Sequence, residues 1–263
     1  MLPRLIVTRP AAEAARWVQQ LAASGVAAAA LPLIDIVAEP PTGALADARA
    51  RLAEWQAAMF VSGNAVTAFF QPNLAVAGAP VALQAIETRA WSPGPGTTAA
   101  LLCAGWPAGH IDAPAADAPQ FDSEALWARV APQARPGARV LLVRGAGADG
   151  VPAGRDWLAQ QLCAAGVQVE QVAAYRRMVP AFGAAERALA EVAAQDGSLW
   201  LFSSSEAVTN VLRSLPAQQW RAARALATHP RIAAAARAAG FGEVSQTRPA
   251  LDAIVAAVQH LSA

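Results

Sequence analysis

Lysine is absent from this chain: all 20 basic residues are arginine. That excludes a Schiff-base lysine, a P-loop lysine and a lysine general base. An anionic ligand must be held by arginine, by hydroxyls or by backbone N–H groups at helix N-termini. Cysteine is almost as scarce. Cys103 and Cys163 are too few for a disulfide framework or a zinc site. Each sits at small-residue spacing in an apolar helix and is expected as a buried, reduced thiol. His110, His229 and His260 lie far apart and lack ligand spacing, so no metal is expected. Charge of one sign is missing too: 20 basic residues stand against 19 acidic ones, which leaves no field for nucleic acid. No apolar run is long. The longest, Leu21 to Ile34, is broken by Ser24, Gly25 and Pro32 and falls short of the ~20 residues of a membrane span. Thr8 and Arg9 interrupt Leu5-Ile6-Val7, so no export signal is expected. The chain is expected to be soluble, cytoplasmic and monomeric, with neither nucleic acid nor membrane as partner.

Alanine is abundant, at 71 of 263 residues, so a mean hydropathy of +0.30 reflects methyl groups. The 55% hydrophobic content excludes disorder, and the length suits one large or two ordinary domains. Short apolar runs each feed a helical stretch: Leu5–Thr8 before Ala11–Ala23, then Val26–Leu31, and Ala58–Val61 before a helix from Asn64. Val81–Trp91, Ala99–Cys103, Arg139–Val143, Trp157–Ala164, Val167–Val172, Leu199–Phe202 and Glu206–Leu212 continue the series. This alternation predicts an α/β fold with parallel sheets.

An internal repeat runs through it. Leu21-Ala-Ala-Ser-Gly25-Val26 returns as Leu162-Cys-Ala-Ala-Gly166-Val167. Phe60-Val-Ser-Gly-Asn-Ala-Val66 returns as Phe202-Ser-Ser-Ser-Glu-Ala-Val208. Pro95 to Trp106 returns as Pro230 to Phe241, and Ser123–Leu126 loosely as Leu251–Ile254. Four blocks in one order predict a duplicated α/β unit of ordinary domain size.

Open α/β sheets bind ligands at the carboxyl ends of their strands. The turns to inspect are Thr8-Arg9-Pro10, Ser62-Gly63-Asn64, Ser92–Thr98, Arg144-Gly145, Ser203-Ser204-Ser205 and Thr228-His229-Pro230-Arg231. Five carry Ser or Thr, and none carries Asp, Glu or Cys. Such hydroxyls cap helices. Together they also offer neutral donors suited to carboxylates rather than to a nucleophilic mechanism. Gly145-Ala-Gly147-Ala-Asp-Gly150 spells G-x-G-x-x-G after a strand, with Glu170 further on. Arg144 and the stretch before Trp157 separate these glycines from the next helix, so they read as a flexible insertion. Asp35 and Glu39 are expected in a connecting strand, solvated. Tyr175, the only tyrosine, stands before Arg176-Arg177 where the repeat's first block ends.

At these residues the chain resembles the uroporphyrinogen-III synthase family, over nearly its whole length. The resemblance is carried by Thr8-Arg9-Pro10, by Phe60-Val61-Ser62 before Asn64-Ala65-Val66, and by Gly94-Pro-Gly-Thr97 with Gly105 following. Asp122-Ser-Glu-Ala-Leu126, then Arg144-Gly145 with Gly154-Arg155 and Leu158, and Val172-Ala-Ala-Tyr175-Arg176-Arg177 complete it. It implies two similar parallel-sheet, flavodoxin-like α/β domains joined by a two-stranded β-ladder, with a cleft between them. Domain 1 would be residues 1–36 and 179–263, domain 2 residues 37–178, and the linker strands about 34–40 and 175–180.

The resemblance further implies cyclisation of hydroxymethylbilane to uroporphyrinogen III, with loss of water, inversion of ring D and no cofactor. Tyr175 would donate a proton to the departing hydroxyl. Arg9, Ser62, Gly63, Asn64, Thr97, Thr98, Ser203, Ser204, Ser205, Thr228 and Arg231 would hold the substrate, and hydroxymethylbilane synthase is the implied transient partner. Where the family has a threonine before Gly240 this chain has Ile232, which leaves any anion contact there to Thr228 or Arg231. A two-domain small-molecule binding protein and an NAD(P)-binding oxidoreductase using Gly145–Gly150 are the other readings of the same pattern.

Overall fold

The computed structural model describes residues 3–40, 43–75, 87–152 and 156–261. They form two compact units, Met1–Asp35 with Met178–Ala263, and Ile36–Arg177. The chain opens with β1 (Leu5–Val7), α1 (Ala11–Ala23) and β2 (Ala28–Ala30), and β3 (Asp35–Ala38) crosses into the second unit. There follow α2 (Gly43–Ala50), β4 (Ala57–Phe60), α3 (Gly63–Ala75), β5 (Arg89–Trp91), α4 (Pro95–Cys103), β6 (Ile111–Asp112) and α5 (Ser123–Val130). Next come β7 (Arg139–Ala146), α6 (Trp157–Ala164) and β8 (Gln168–Met178). The first unit resumes with α7 (Ala184–Ala193), β9 (Leu199–Phe202), α8 (Ser205–Ser214), β10 (Arg224–Ala227), α9 (Pro230–Ala238), β11 (Glu243–Gln246) and α10 (Leu251–His260).

Strands β1, β4 and β9 read Leu-Ile-Val, Ala-Ala-Met-Phe and Leu-Trp-Leu-Phe, and every residue in them is buried. Continuous apolar runs of this kind belong to central strands covered by helices on both faces. The first sheet runs β11-β10-β9-β1-β2, with the four pairings parallel. Numbered along the unit, that is the 2-1-3-4-5 order of flavodoxin-like folds. The second sheet runs β3-β8-β7-β4-β5-β6. Its parallel part follows the same order once β7 and β8 are counted first. The second unit is therefore a circular permutation of the first, and β3 is added outside β8, where Glu39 N–H donates to the Ala174 carbonyl at 2.9 Å.

The sequence repeats fall on equivalent elements. Gly25 ends α1 at φ +75° and Gly166 ends α6 at +77°; Gly105 ends α4 at +90° and Gly240 ends α9 at +93°. In each case the residue after the glycine returns its N–H to a carbonyl five residues back, as in Trp106 to Leu101 and Phe241 to Ala236. The cores match as well. Phe60, Phe69, Phe70 and Trp106 meet mostly edge to face in one unit, and Trp200, Phe202, Trp220 and Phe241 cluster in the other. Removing any one of these rings is expected to cost about 3–5 kcal/mol.

Several expectations are corrected. Cys103 and Cys163 are exposed, because Leu101 of α4 and Leu158, Ala159 and Leu162 of α6 occupy the inward arcs and the cysteines lie outside them. Glu39 is not simply solvated: it pairs with Arg176 Nε at 2.7 Å. Arg144 and Gly145 lie inside β7 rather than in a turn. Beyond them the glycines close on themselves, with Gly147 N–H bonded to the Val151 carbonyl and Gly150 N–H to that of Gly147. Thr97 and Thr98 belong to the first turn of α4, since Pro95 starts that helix earlier than a loop reading allows. Residues 81–86 of one expected apolar run, and Gly154-Arg155, lie outside the described residues.

Candidate active site

In the second unit the carboxyl ends of β4 and β8 bring Ser62 and Tyr175 together, their hydroxyl oxygens 3.1 Å apart. Ser62 precedes α3, and its Oγ accepts the Ala65 N–H at 3.2 Å, the bond of a helix N-cap. Tyr175 is 3% exposed and joins the core around Phe60. Its position follows from a bulge. Arg144 pairs with Ala173, but Gly145 pairs with Tyr175, so Ala174 is the extra residue that re-aims the tyrosine.

Gly63 lets the start of α3 approach that of α4: a β-carbon there would lie 3.3 Å from the Gly96 carbonyl oxygen. Asn64 stands in the same turn of α3. Thr97 is buried, and Thr98 Oγ1 donates to Ser92 Oγ at 2.9 Å, tying the loop after β5 to α4. One residue that the sequence reading left outside the site stands out. Arg144 is only 4% exposed at the end of β7, and it donates to Asp156 at 2.6 Å and to Gln171. Its signal in the sequence was an arginine before a glycine at a strand end.

In the first unit, Thr8 follows β1 and donates to the Leu201 carbonyl at 2.7 Å. Arg9 lies over the Trp17 ring at 4.3 Å and donates to Glu13 at 3.1 Å. Burial lowers the Arg9 pKa below its ordinary value, against an opposing pull from Glu13. After β9, the Oγ of Ser203 is buried without a partner, while Ser204 caps α8 by accepting the Glu206 N–H at 3.1 Å. Ser205 opens the helix, and its carbonyl accepts the Thr209 hydroxyl. After β10, Thr228 is buried and its N–H donates to the Phe202 carbonyl. His229 Nδ1 accepts the Arg231 N–H at 3.1 Å, capping α9, and Ile232 packs into the core.

Each unit thus offers, at the carboxyl ends of its strands, hydroxyls and helix N-termini beside arginines that already have partners. Among the described residues no group of His, Cys, Asp and Glu is arranged to hold a metal ion, and no helix is long and apolar enough to cross a membrane. The fold defines a class: a duplicated, circularly permuted α/β protein with hydroxyls and helix N-termini at the carboxyl ends of its strands.

Residues 15–256 match the family model of uroporphyrinogen-III synthase HemD. The chain belongs to the uroporphyrinogen-III synthase family, cyclising lyases of heme biosynthesis. Two solved structures share its fold. Uroporphyrinogen-III synthetase from Helicobacter pylori superposes with a TM-score of 0.62 at 15% identity, covering 99% of this chain and 100% of that one. A mutant uroporphyrinogen III synthase from Thermus thermophilus gives 0.55 at 16% identity, covering 99% and 97%. No curated protein matches the sequence.

Proposed function

We infer that the chain acts on hydroxymethylbilane in the cytoplasm, and that Tyr175 and the two hydroxyl-lined rims carry the reaction. The hydroxyl of the ring-A hydroxymethyl group takes a proton and leaves as water with the C–O electron pair, while the methylene carbon stays on the ring. The azafulvene cation that remains is attacked by ring D through its already substituted carbon. The resulting spiro compound fragments and recloses with ring D inverted, and loss of a carbon-bound proton completes uroporphyrinogen III.

The observation that carries this reading is the placement of Tyr175 against Ser62 at a helix N-terminus. A phenol there supplies the proton that makes water the leaving group, which is general acid catalysis worth about 10²–10⁴. The cation is resonance-stabilised, so the phenol assists rather than decides. The remaining work is positioning: the acetate and propionate carboxylates are taken by Arg9, Ser203, Ser204, Ser205, Thr228 and Arg231 in the first unit, and by Gly63, Asn64, Thr97 and Thr98 in the second. Hydroxyls, backbone N–H groups and arginines suit this work because they hold carboxylates without offering the cation a nucleophile. A bilane that cyclises on its own to the uninverted isomer also favours delivery by transient contact with hydroxymethylbilane synthase.

Incubation with hydroxymethylbilane and separation of the two uroporphyrinogen isomers tests the reading. The inverted isomer is expected, reduced but present with Tyr175→Phe. Uninverted product alone would refute it. The nucleotide-dependent alternative is disfavoured by the glycine turn after β7, which bonds to itself and lies ahead of α6 rather than at its N-terminus, where a pyrophosphate would sit.

A further inference from the structure

Ser62 and Tyr175 meet hydroxyl to hydroxyl, and by geometry alone either oxygen can donate. Their surroundings decide the direction. The Ser62 oxygen already accepts the Ala65 N–H, at the positive end of α3. Hydrogen bonds in a chain polarise one another, so an oxygen that accepts one releases its own proton more readily. The opposite direction would use up the phenol proton on Ser62 and leave none for a departing hydroxyl.

Building on the reading of Tyr175 as proton donor, we propose that Ser62 is a positioning residue whose hydroxyl donates to the Tyr175 phenol oxygen, turning the phenol proton away from itself and stabilising the phenolate. The step balances. The O–H bond of Tyr175 breaks toward the bilane hydroxyl, the C–O bond breaks with its electrons on oxygen, and water leaves. The phenolate keeps the Ser62 hydrogen bond until the carbon-bound proton released on ring closure restores the phenol. Three features hold the ring for this: the bulge at Ala174, the glycine opposite Tyr175, and the apolar cluster around Phe60.

The chain contains one tyrosine, so alkaline titration of the free enzyme, followed by tyrosinate absorbance, reports Tyr175 alone. Ser62→Gly removes the hydroxyl while remaining an acceptable helix cap. Its tyrosinate midpoint is expected to rise by about one pH unit, the size of one hydrogen bond to a charged oxygen. Ser62→Thr is expected to keep the wild-type midpoint. Ser62→Cys, of similar shape but a weaker donor, is expected to fall between them, and it carries the test if the glycine variant does not fold. With hydroxymethylbilane, Ser62→Gly is expected to lower kcat more than it changes KM, and to cost nothing further in a Tyr175→Phe background. An unmoved or lowered midpoint in the glycine and cysteine variants overturns the proposal, as do losses that add in the double variant. The titration needs no substrate. A raised midpoint in a chain that forms no uroporphyrinogen III would therefore sink the functional reading and leave the hydroxyl pairing standing. An unmoved midpoint in an active, Tyr175-dependent enzyme would sink the pairing alone.

Discussion

Gly145 lies so close beneath Tyr175 that a β-carbon on it would sit 2.6 Å from two atoms of the ring. The first glycine of the G-x-G-x-x-G run thus serves a tyrosine on the neighbouring strand and not a pyrophosphate. Gly145→Ala must displace the ring or bend β7, and is expected to destabilise the fold by about 1–3 kcal/mol. Because the ring moves, formation of the inverted isomer is expected to drop to the level of Tyr175→Phe. Gly147→Ala is the comparison. A β-carbon there meets only the Asp149 carboxylate, a movable group, so melting temperature and isomer ratio should stay near wild type. Equal effects of the two substitutions would contradict this account.

The repeat makes a second prediction. Gly105 and Gly240 end equivalent helices at φ +90° and +93°, and nothing lies within 4 Å of a β-carbon on either. Alanine at each position therefore meets no clash and costs only the left-handed backbone conformation, about 1–2 kcal/mol. The two variants are expected to lose similar stability in denaturant unfolding. A cost confined to one unit would mean that the duplicated sequence no longer does duplicated work.

The other pair of helix-ending glycines, Gly25 and Gly166, explains why so much of the fold is legible in the sequence. A Leu-x-x-x-Gly-Val block fixes a helix end and the strand after it through local backbone chemistry, so α1 to β2 and α6 to β8 could be read directly. Strands as apolar as Leu199–Phe202 announced parallel sheets in the same way. Arg144 was misplaced because its neighbours Gly145 and Ala146 have low strand propensity, and only pairing with β8 keeps them extended. Glu39 looked solvated because its partner, Arg176, stands far along the chain. Of the candidate site, the hydroxyls before helices were visible as caps. The approach of Ser62 to Tyr175 was not, since it depends on a one-residue bulge that no local pattern encodes.

Asp112 supplies a pH-dependent prediction. Burial pushes its carboxyl up, but Arg89, whose Nη2 donates at 2.9 Å, and Gln133, at 3.0 Å, outweigh that and hold it below the ordinary carboxylate range. A carboxyl with a depressed folded-state pKa stabilises the protein above its unfolded value of 3.8. That stability is lost as pH falls from there through the folded value. Asp112→Asn is expected to cost about 2 kcal/mol at neutral pH, less than a fully buried pair because Arg89 is a third exposed. The difference in melting temperature between wild type and variant should shrink as acid is added below the unfolded value. A difference that stayed constant across that range would show that the ion pair is not its source.

Arg9 and Glu13 make the last prediction, and it is one of sign. The guanidinium lies over Trp17 with the Glu13 carboxylate 3.1 Å away, so it meets a substrate carboxylate already half neutralised. If Arg9 binds the bilane, Glu13 competes for it. Glu13→Gln removes a charge within a few ångströms of the ligand and is expected to lower KM about fivefold, equivalent to roughly 1 kcal/mol. Arg9→Ala loses a charged hydrogen bond and is expected to raise KM tenfold or more, on the order of 1.5–3 kcal/mol. Because Arg9 still lies over the Trp17 ring in the glutamine variant, its stability should change by less than about 1 kcal/mol. Steady-state kinetics with hydroxymethylbilane over a range of ionic strength separates the outcomes. Shifts of opposite sign that fade with salt place Arg9 on the substrate; shifts of the same sign would assign both side chains to holding α1 alone.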